Sequence, residues 1–142
     1  MGLLKKLFGK KAPPAPEPPA PPPPLPPEPE PLHINEVTDK ELVDLMASDE
    51  TVTVVDLRQT WEYKSGHIAG AINVPIMYLP DKLDSIPKDH KIIMQCYHGY
   101  TSLDASGFLL ENGWADEHVF SLMGGMSQWV VNQGMDSLVP EE

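Results

Sequence analysis

The chain contains one cysteine, Cys96, among its 142 residues. A single cysteine cannot form a disulfide within the chain or build a multi-cysteine zinc site. The sequence also lacks any run approaching the ~20 apolar residues that a membrane-spanning helix requires. Basic residues are scarce, since 10 Lys and Arg stand against 21 Asp and Glu. This acidic balance disfavours a nucleic-acid partner, because binding DNA or RNA needs a basic surface.

Proline is concentrated in one part of the chain. Residues 12–31 contain 13 of the 17 prolines and no aromatic residue. Proline fixes φ and has no amide donor, so this stretch cannot form a helix or an interior strand. We expect a disordered, extended polyproline II linker with no packed core. The same composition would suit an SH3-like groove, but a linker is the simpler interpretation.

The linker separates two parts of opposite charge. Residues 1–11 carry four lysines and no acidic residue, and the linker carries three glutamates. Residues 32–142 carry 6 Lys and Arg against 18 Asp and Glu. We therefore divide the chain into a basic segment (1–11), a linker (12–31) and a domain (32–142), which is long enough to bury a single core.

The basic segment has the pattern of a short amphipathic helix. Its lysines lie opposite an apolar face formed by Leu3, Leu4, Leu7 and Phe8. This pattern is typical of weak docking to a membrane surface or a protein, although a disordered basic tail is the alternative. Lys5 and Lys6 interrupt the run that a secretory signal would need, and Lys6 also breaks the myristoylation pattern. We expect a cytoplasmic protein that attaches weakly, through this segment, to the inner face of a membrane or to a partner.

Strand and helix patterns alternate in the domain. Strands are predicted over residues 52–55, 71–74, 91–96 and 117–122, helices from Thr38, Thr101 and Gly124, and a short helix or irregular crossover over 77–87. This alternation favours an α/β fold with a parallel sheet and helices on both faces. In such sheets, binding sites form at the carboxyl ends of the strands.

Cys96 follows a predicted strand and precedes the predicted start of a helix near Thr101. The loop between them could curl so that several amides point at the sulfur, with Gly99 at positive φ. Those amides and the helix N-terminus would stabilise a thiolate or a bound anion. Thr101 followed by Asp104 fits a capping box. The residues alone leave open whether Cys96 is a nucleophile or a buried filler, since free cysteine is often buried.

Three segments of the domain resemble the single-domain rhodaneses, a family of sulfurtransferases. They are VVDLRQTWEYKSGHIAGAINVP, CYHGYTS and VFSLMGGMSQW, which follow the order of the family's motifs. The resemblance extends over nearly all of residues 32–142 and implies a five-stranded parallel sheet flanked by helices on both faces. It implies that Cys96 takes sulfane sulfur from thiosulfate or a persulfide and passes it to cyanide, a thiol or a protein thiol. It implies no cofactor or metal, only a covalent persulfide on Cys96.

The resemblance also suggests roles for the residues around Cys96. The loop would bind the sulfur substrate through Tyr97, His98, Gly99, Tyr100, Thr101 and Ser102. The i, i+4 spacing of Arg58 and Glu62 predicts an ion pair, which is structural in the family, and Asp56 would brace the neighbouring loops. His98 could help to hold an anionic donor, and the alternative is an exposed loop side chain.

The loop departs from many members of the family in its charge. Those loops attract thiosulfate with Lys or Arg, whereas this one has neither and places Thr101 at the sixth position. A phosphatase of the same fold would need a loop one residue longer that ends in Arg. The remaining alternative is a non-catalytic rhodanese-like binding or regulatory module tethered to a membrane or complex. The presence of both Cys96 and Gly99 favours the enzyme.

Overall fold

A computed structural model of the chain describes residues 14–28 and 32–140. Residue contacts divide the chain into two units, Met1–Pro31 and Leu32–Glu142. In the first unit, residues 14–28 form neither helix nor strand and are exposed. The polyproline II linker stays a prediction, as does the amphipathic helix over residues 1–11, which lies outside the described residues. No helix in the described ranges is long and apolar enough to span a bilayer.

The second unit alternates strands with helices. Its strands are β1 (Asn35–Val37), β2 (Val52–Asp56), β3 (His67–Ile68), β4 (Ile72–Asn73), β5 (Lys91–Gln95), β6 (Val119–Leu122) and β7 (Leu138–Val139). Its α-helices are α1 (Asp39–Ala47), α2 (Thr60–Ser65), α3 (Thr101–Glu111) and α4 (Gly125–Gln133). Short 3₁₀ helices cover Ile76–Asp81, Leu83–Ser85, Asp116–His118 and Met135–Ser137. The crossover after β4 is therefore built from 3₁₀ turns.

Five of the strands form one parallel sheet in the order β1-β6-β5-β2-β4. The two short strands β3 and β7 pair antiparallel in a separate sheet. The predicted five-stranded parallel sheet is confirmed. β5 lies at its centre, and Ile92, Ile93 and Met94 are fully buried there, as expected for a strand covered on both faces. The residue that follows β5, Cys96, therefore leaves the middle of the sheet at its carboxyl edge.

Alternate side chains of the strands enter apolar cores on the two faces of the sheet. One core packs against α3, and the other packs against α1 and α4. Representative members are Val55, Met94, Ala105 and Leu109 in the first core and Leu42, Val54, Ile93 and Trp129 in the second. Helices thus flank both faces, which is the predicted layer arrangement. Cys96 itself belongs to the first core.

A buried carboxylate joins α1 to the end of α4. Asp39 accepts hydrogen bonds from Asn132 Nδ2 at 3.1 Å and from Gln133 Nε2 at 2.8 Å. Burial raises the pKa of Asp39, but hydrogen bonds from Gln133, from Asn132 and from the amides of Asp39 and Lys40 outweigh it. The pKa of the carboxyl is therefore held below its ordinary value. The ionised form of Asp39 stabilises the contact between the two helices.

We predict that Asp39→Asn lowers the free energy of unfolding near neutral pH by about 1–2 kcal/mol, because charge-assisted hydrogen bonds are lost. The wild-type contribution is complete above the unfolded-state pKa, roughly 3.9, and disappears as the pH falls through the lower folded-state pKa. The stability difference between the two proteins should therefore shrink below about pH 4. Urea unfolding across that range measures it.

The matched control is Asp44→Asn, an exposed position on the same helix. It should change the unfolding free energy by less than about 0.5 kcal/mol, because the side chain is solvated. An Asp39→Asn variant as stable as the wild type near neutral pH would contradict the role given to Asp39.

Candidate active site

Two backbone amides point at the sulfur of Cys96. The amide of Gly99 donates to Sγ at 3.0 Å, and the amide of Ser102 donates to it at 3.4 Å. Gly99 has a φ of 93°, which favours glycine because a Cβ would crowd the backbone. Cys96 is only 6% exposed. The loop therefore wraps the sulfur and stabilises negative charge on it or on an atom bonded to it.

Two buried serine hydroxyls lie behind the sulfur. Ser102 Oγ is 3.5 Å from Cys96 Sγ and 2.7 Å from Ser121 Oγ on β6. Ser121 is buried on the sheet and is not among the site residues predicted from the sequence. The sequence offers only one weak indication of its role, a polar residue within the otherwise apolar strand β6. The sheet places it next to α3, where Ser102 occupies the first turn.

The backbone of the loop is held by the start of α4. The amide of Met126 donates to the Cys96 carbonyl at 2.8 Å, and the amide of Ser127 donates to the Tyr97 carbonyl at 2.9 Å. The first amides of a helix have no acceptor within the helix. These contacts therefore give hydrogen-bond partners both to the amides at the start of α4 and to the carbonyls of the loop. Gln95 Nε2 also donates to the Cys96 carbonyl, at 2.9 Å. Neither Gln95 nor the start of α4 was predicted to support the loop.

Glycine makes this close approach possible. A Cβ on Gly125 would lie 2.4 Å from the Cys96 carbonyl oxygen and 2.7 Å from that of Tyr97. A Cβ on Gly99 would lie 2.8 Å from the amide nitrogen of Gly124. The active loop and the turn before α4 therefore meet backbone to backbone. This packing accounts for Gly125, whereas a Cβ on Gly124, at φ 75°, would lie 2.5 Å from Gln128 Cβ in α4.

The predicted ion pair between Arg58 and Glu62 is wrong. In the described part of the chain, Arg58 pairs with Asp56, with Nη2 2.7 Å from Oδ2 and Nε 3.0 Å from Oδ1. Arg58 Nη2 also donates to the Gly66 carbonyl at 2.8 Å. Asp56 is fully buried, and a buried carboxylate requires a charged partner more than a half-buried one does. Glu62 instead accepts from the Gln59 amide at 3.4 Å and closes the capping box of α2.

The predicted capping box of Thr101 and Asp104 is also wrong. Thr101 is the first residue of α3, and the N-cap is Tyr100, whose backbone is already helical at φ −90° and ψ −49°. Within the described residues, no side chain caps this helix. Because the chain turns helically before Thr101, the Ser102 amide faces Cys96 Sγ. The Ser102 amide donates to Cys96 Sγ, where at many helix starts a capping side chain would be the acceptor.

The mouth of the loop is aromatic. Tyr97, His98 and Tyr100 are all exposed, and the rings of Tyr97 and His98 meet edge to face with centroids 4.5 Å apart. Thr101 is exposed beside them. Of the predicted loop residues, Gly99 and Ser102 donate their amides to the sulfur, whereas Tyr97, His98, Tyr100 and Thr101 are exposed. Among the described residues, no group of three or more His, Cys, Asp or Glu is arranged to hold a metal ion.

Comparison with known proteins identifies related sequences and folds. Residues 38–132 match the rhodanese-like domain. A sulfurtransferase from Allochromatium vinosum is 31% identical over 108 residues, which cover 76% of this chain and 98% of that protein. A thiosulfate sulfurtransferase (GlpE) from Shewanella oneidensis is 36% identical over 84 residues, which cover 59% of this chain and 81% of that protein.

Two solved structures show the same fold. A rhodanese-like domain protein from Staphylococcus aureus matches with a TM-score of 0.68 at 27% identity, over 77% of this chain and 100% of that one. A rhodanese-related protein from Thermoplasma volcanium matches with a TM-score of 0.65 at 29% identity, over 75% of this chain and 99% of that one. Both matches span the whole of the compared chain or nearly so.

We predict that Gly125→Ala destabilises the protein strongly, because its Cβ would overlap two backbone carbonyl oxygens of the active loop. Gly70→Ala is the matched control, since Gly70 also has positive φ but a Cβ there would meet nothing within 4 Å. The control should lose about 1–2 kcal/mol for its backbone conformation alone. Gly125→Ala should lose a further 1–3 kcal/mol, roughly the cost of overpacking. Urea unfolding compares them, and equal losses would refute the close packing.

Proposed function

The chain belongs to the rhodanese-like domain family, and on this premise we propose that it transfers sulfane sulfur through a persulfide on Cys96. Similarity to named sulfurtransferases supports sulfurtransferase activity in general. The observation that carries the finer proposal is the pair of amides, from Gly99 and Ser102, that donate to Cys96 Sγ. They direct two hydrogen-bond donors at the atom that the chemistry requires as a nucleophile.

The proposed reaction has two displacement steps. In the first, the Cys96 thiolate attacks the sulfane sulfur of the donor, and the bond from that sulfur to the rest of the donor breaks. The donor leaves as sulfite if it is thiosulfate, or as a thiolate if it is a persulfide. In the second step, cyanide or a thiolate attacks the terminal sulfur, and Cys96 leaves as a thiolate. In each step one bond to the sulfane sulfur forms and one breaks, with no net oxidation or reduction. No further oxidant or reductant is therefore required.

The loop amides act in both steps. The nucleophile of the first step and the leaving group of the second are the same Cys96 thiolate, which the Gly99 and Ser102 amides stabilise. Between the steps, the negative charge moves to the outer sulfur of the persulfide, at the mouth formed by Tyr97, His98 and Tyr100. We propose that these three side chains contact the donor and the acceptor. The Asp56–Arg58 pair and Glu62 brace the elements next to the loop.

The charge around the loop affects the choice of donor. The domain carries 18 acidic against 6 basic residues, and the loop contains no Lys or Arg. A dianion such as thiosulfate is therefore weakly attracted to the site. Either thiosulfate or a persulfide could load Cys96 in this proposal, but the electrostatics favour a donor that carries less negative charge.

We predict that incubation with thiosulfate or a small persulfide adds about 32 Da, the mass of one sulfur atom, to the wild-type protein. Cyanide should remove the adduct, and Cys96→Ser should not acquire it. Mass spectrometry of the intact protein measures all three. A folded protein that forms no adduct with either donor would contradict the proposal and favour the non-catalytic binding module. Transfer activity in Cys96→Ser would refute the mechanism.

We predict that Thr101→Arg raises kcat/KM for thiosulfate by roughly threefold to tenfold. An added cation beside the loop attracts a dianion by on the order of 1 kcal/mol at a solvated site. The gain should shrink as salt is added, because exposed charges are screened. Thr101→Gln, which is long and polar but neutral, is the control and should show no gain. Equal rates for the two variants would show that charge does not limit use of thiosulfate.

A further inference from the structure

An apolar pocket of about 330 Å³ adjoins the active loop. Its apolar wall is formed by Trp61, Tyr97, Met126, Val130, Met135 and Leu138. Two of these residues connect it to the nucleophile: Tyr97 follows Cys96 directly, and the Met126 amide holds the Cys96 carbonyl. A group that enters the pocket therefore lies beside the mouth of the loop.

The rim of this pocket exposes large apolar side chains to solvent. Trp61 is 70% exposed and Met135 is 69% exposed, and Tyr97 and Tyr100 are exposed at the adjoining loop. Single exposed apolar side chains are ordinary, but several around one cavity mark a binding surface. Trp, Tyr and Met are also the residue types enriched in the centres of protein interfaces. Tyr100 is exposed but does not line the pocket, so the exposed apolar surface is larger than the pocket itself. A surface of this extent suits a protein partner better than a small molecule.

The charge of the pocket and of the surrounding domain indicates the charge of the partner. The polar lining of the pocket includes Glu62 and Arg58, and the Arg58 guanidinium is already paired with the buried Asp56. The pocket is therefore not electropositive, and the domain around it carries 18 acidic against 6 basic residues. Such a field attracts basic proteins and speeds their encounter with the surface.

Burial of the nucleophile distinguishes the acceptor from the donor. Cys96 is 6% exposed, so the donor that loads it must be slender enough to reach into the loop. Once Cys96 is loaded, the transferable sulfur lies one S–S bond, about 2 Å, further out. A bulky acceptor can reach that outer sulfur more readily than a bulky donor can reach Cys96 itself.

We propose that the pocket binds an apolar side chain of a basic protein whose cysteine accepts the sulfur from Cys96. This inference rests on the proposed sulfur transfer and adds the class of acceptor. The acceptor thiolate attacks the outer sulfur of the persulfide and forms a new S–S bond, while the bond from that sulfur to Cys96 breaks. Cys96 leaves as a thiolate, and the acceptor becomes a persulfide. The reaction is a transfer of sulfane sulfur with no net oxidation.

Three synthetic peptides test the proposal, each with one cysteine. The first carries several lysines and a phenylalanine near the cysteine, the second replaces that phenylalanine with serine, and the third replaces the lysines with glutamates. The full-length protein is loaded with thiosulfate, and the second-order rate of sulfur transfer is measured for each peptide and for cyanide. The first peptide should react about tenfold faster than the second, because burial of an aromatic side chain is worth at least that factor. It should also react about tenfold faster than the third, because the acidic domain attracts lysines and repels glutamates.

Variants of the pocket rim separate docking from chemistry. Trp61→Ala and Met135→Ala should each remove most of the advantage of the first peptide and leave the rate with cyanide unchanged. Val131→Ala is the matched control, since Val131 is 78% exposed on α4 and does not line the pocket. It should change neither rate. Thermal unfolding of each variant shows whether the exposed substitutions leave the fold intact.

The outcomes distinguish the two proposals. A normal rate with cyanide and equal rates for all three peptides would overturn the acceptor site and leave sulfur transfer standing. Equal losses with peptide and with cyanide in the rim variants would also overturn it, because the residues would then act on Cys96 generally. Failure of the wild-type protein to load sulfur would overturn the proposed function, and the acceptor site with it.

Discussion

The hydrogen bond from the Met126 amide to the Cys96 carbonyl connects the main parts of the site. It fixes the main chain at the point where β5 ends, and the loop that follows can then turn its amides towards Sγ. The contact requires the start of α4 to approach the loop backbone to backbone, which only a residue without Cβ at Gly125 permits. The far end of α4 is held in turn by Asp39 of α1. The second core and the active loop are therefore parts of one packing arrangement.

The amide hydrogens that face Cys96 Sγ carry partial charge of opposite sign to the net charge of the domain. The amides of Gly99 and Ser102 favour a negative charge on one sulfur atom, whereas the domain as a whole is strongly acidic. Local dipoles act over a few ångströms in a buried site, and the net charge acts at longer range through solvent. The site thus directs amide donors at its sulfur, while the acidic domain around it attracts anionic ligands poorly. The exposed loop residues agree with this contrast, because they offer aromatic surface and include no Lys or Arg that would attract an anion.

Much of the fold could be predicted from the sequence. The alternation of strand and helix patterns, the run of apolar residues in β5 and the helix start at Thr38 all depend on residues close together in the chain. Thr38 does cap α1, with its Oγ1 accepting from the Glu41 amide at 3.1 Å. The two local predictions that were wrong, for Arg58 with Glu62 and for Thr101 with Asp104, used the same kind of spacing. They were wrong for different reasons: the buried Asp56 carboxylate pairs with Arg58, and helical backbone at Tyr100 places Thr101 inside α3, where it is not the N-cap.

The sequence by itself determined the order of β2, β4, β5 and β6 and of the helices α1, α3 and α4, but it did not predict β1, α2, β3 or β7. It also determined that a short loop begins at Cys96 and that basic residues are scarce. These properties follow from local periodicity, spacing and composition. Only the tertiary structure decided that Ser121 contacts the serine beside Cys96, that α4 holds the loop and that an apolar pocket opens beside Tyr97. Each of these features joins residues that are distant in the chain, and their positions depend on how the sheet and helices pack. Sequence spacing carries no information about such contacts until the strand order is known.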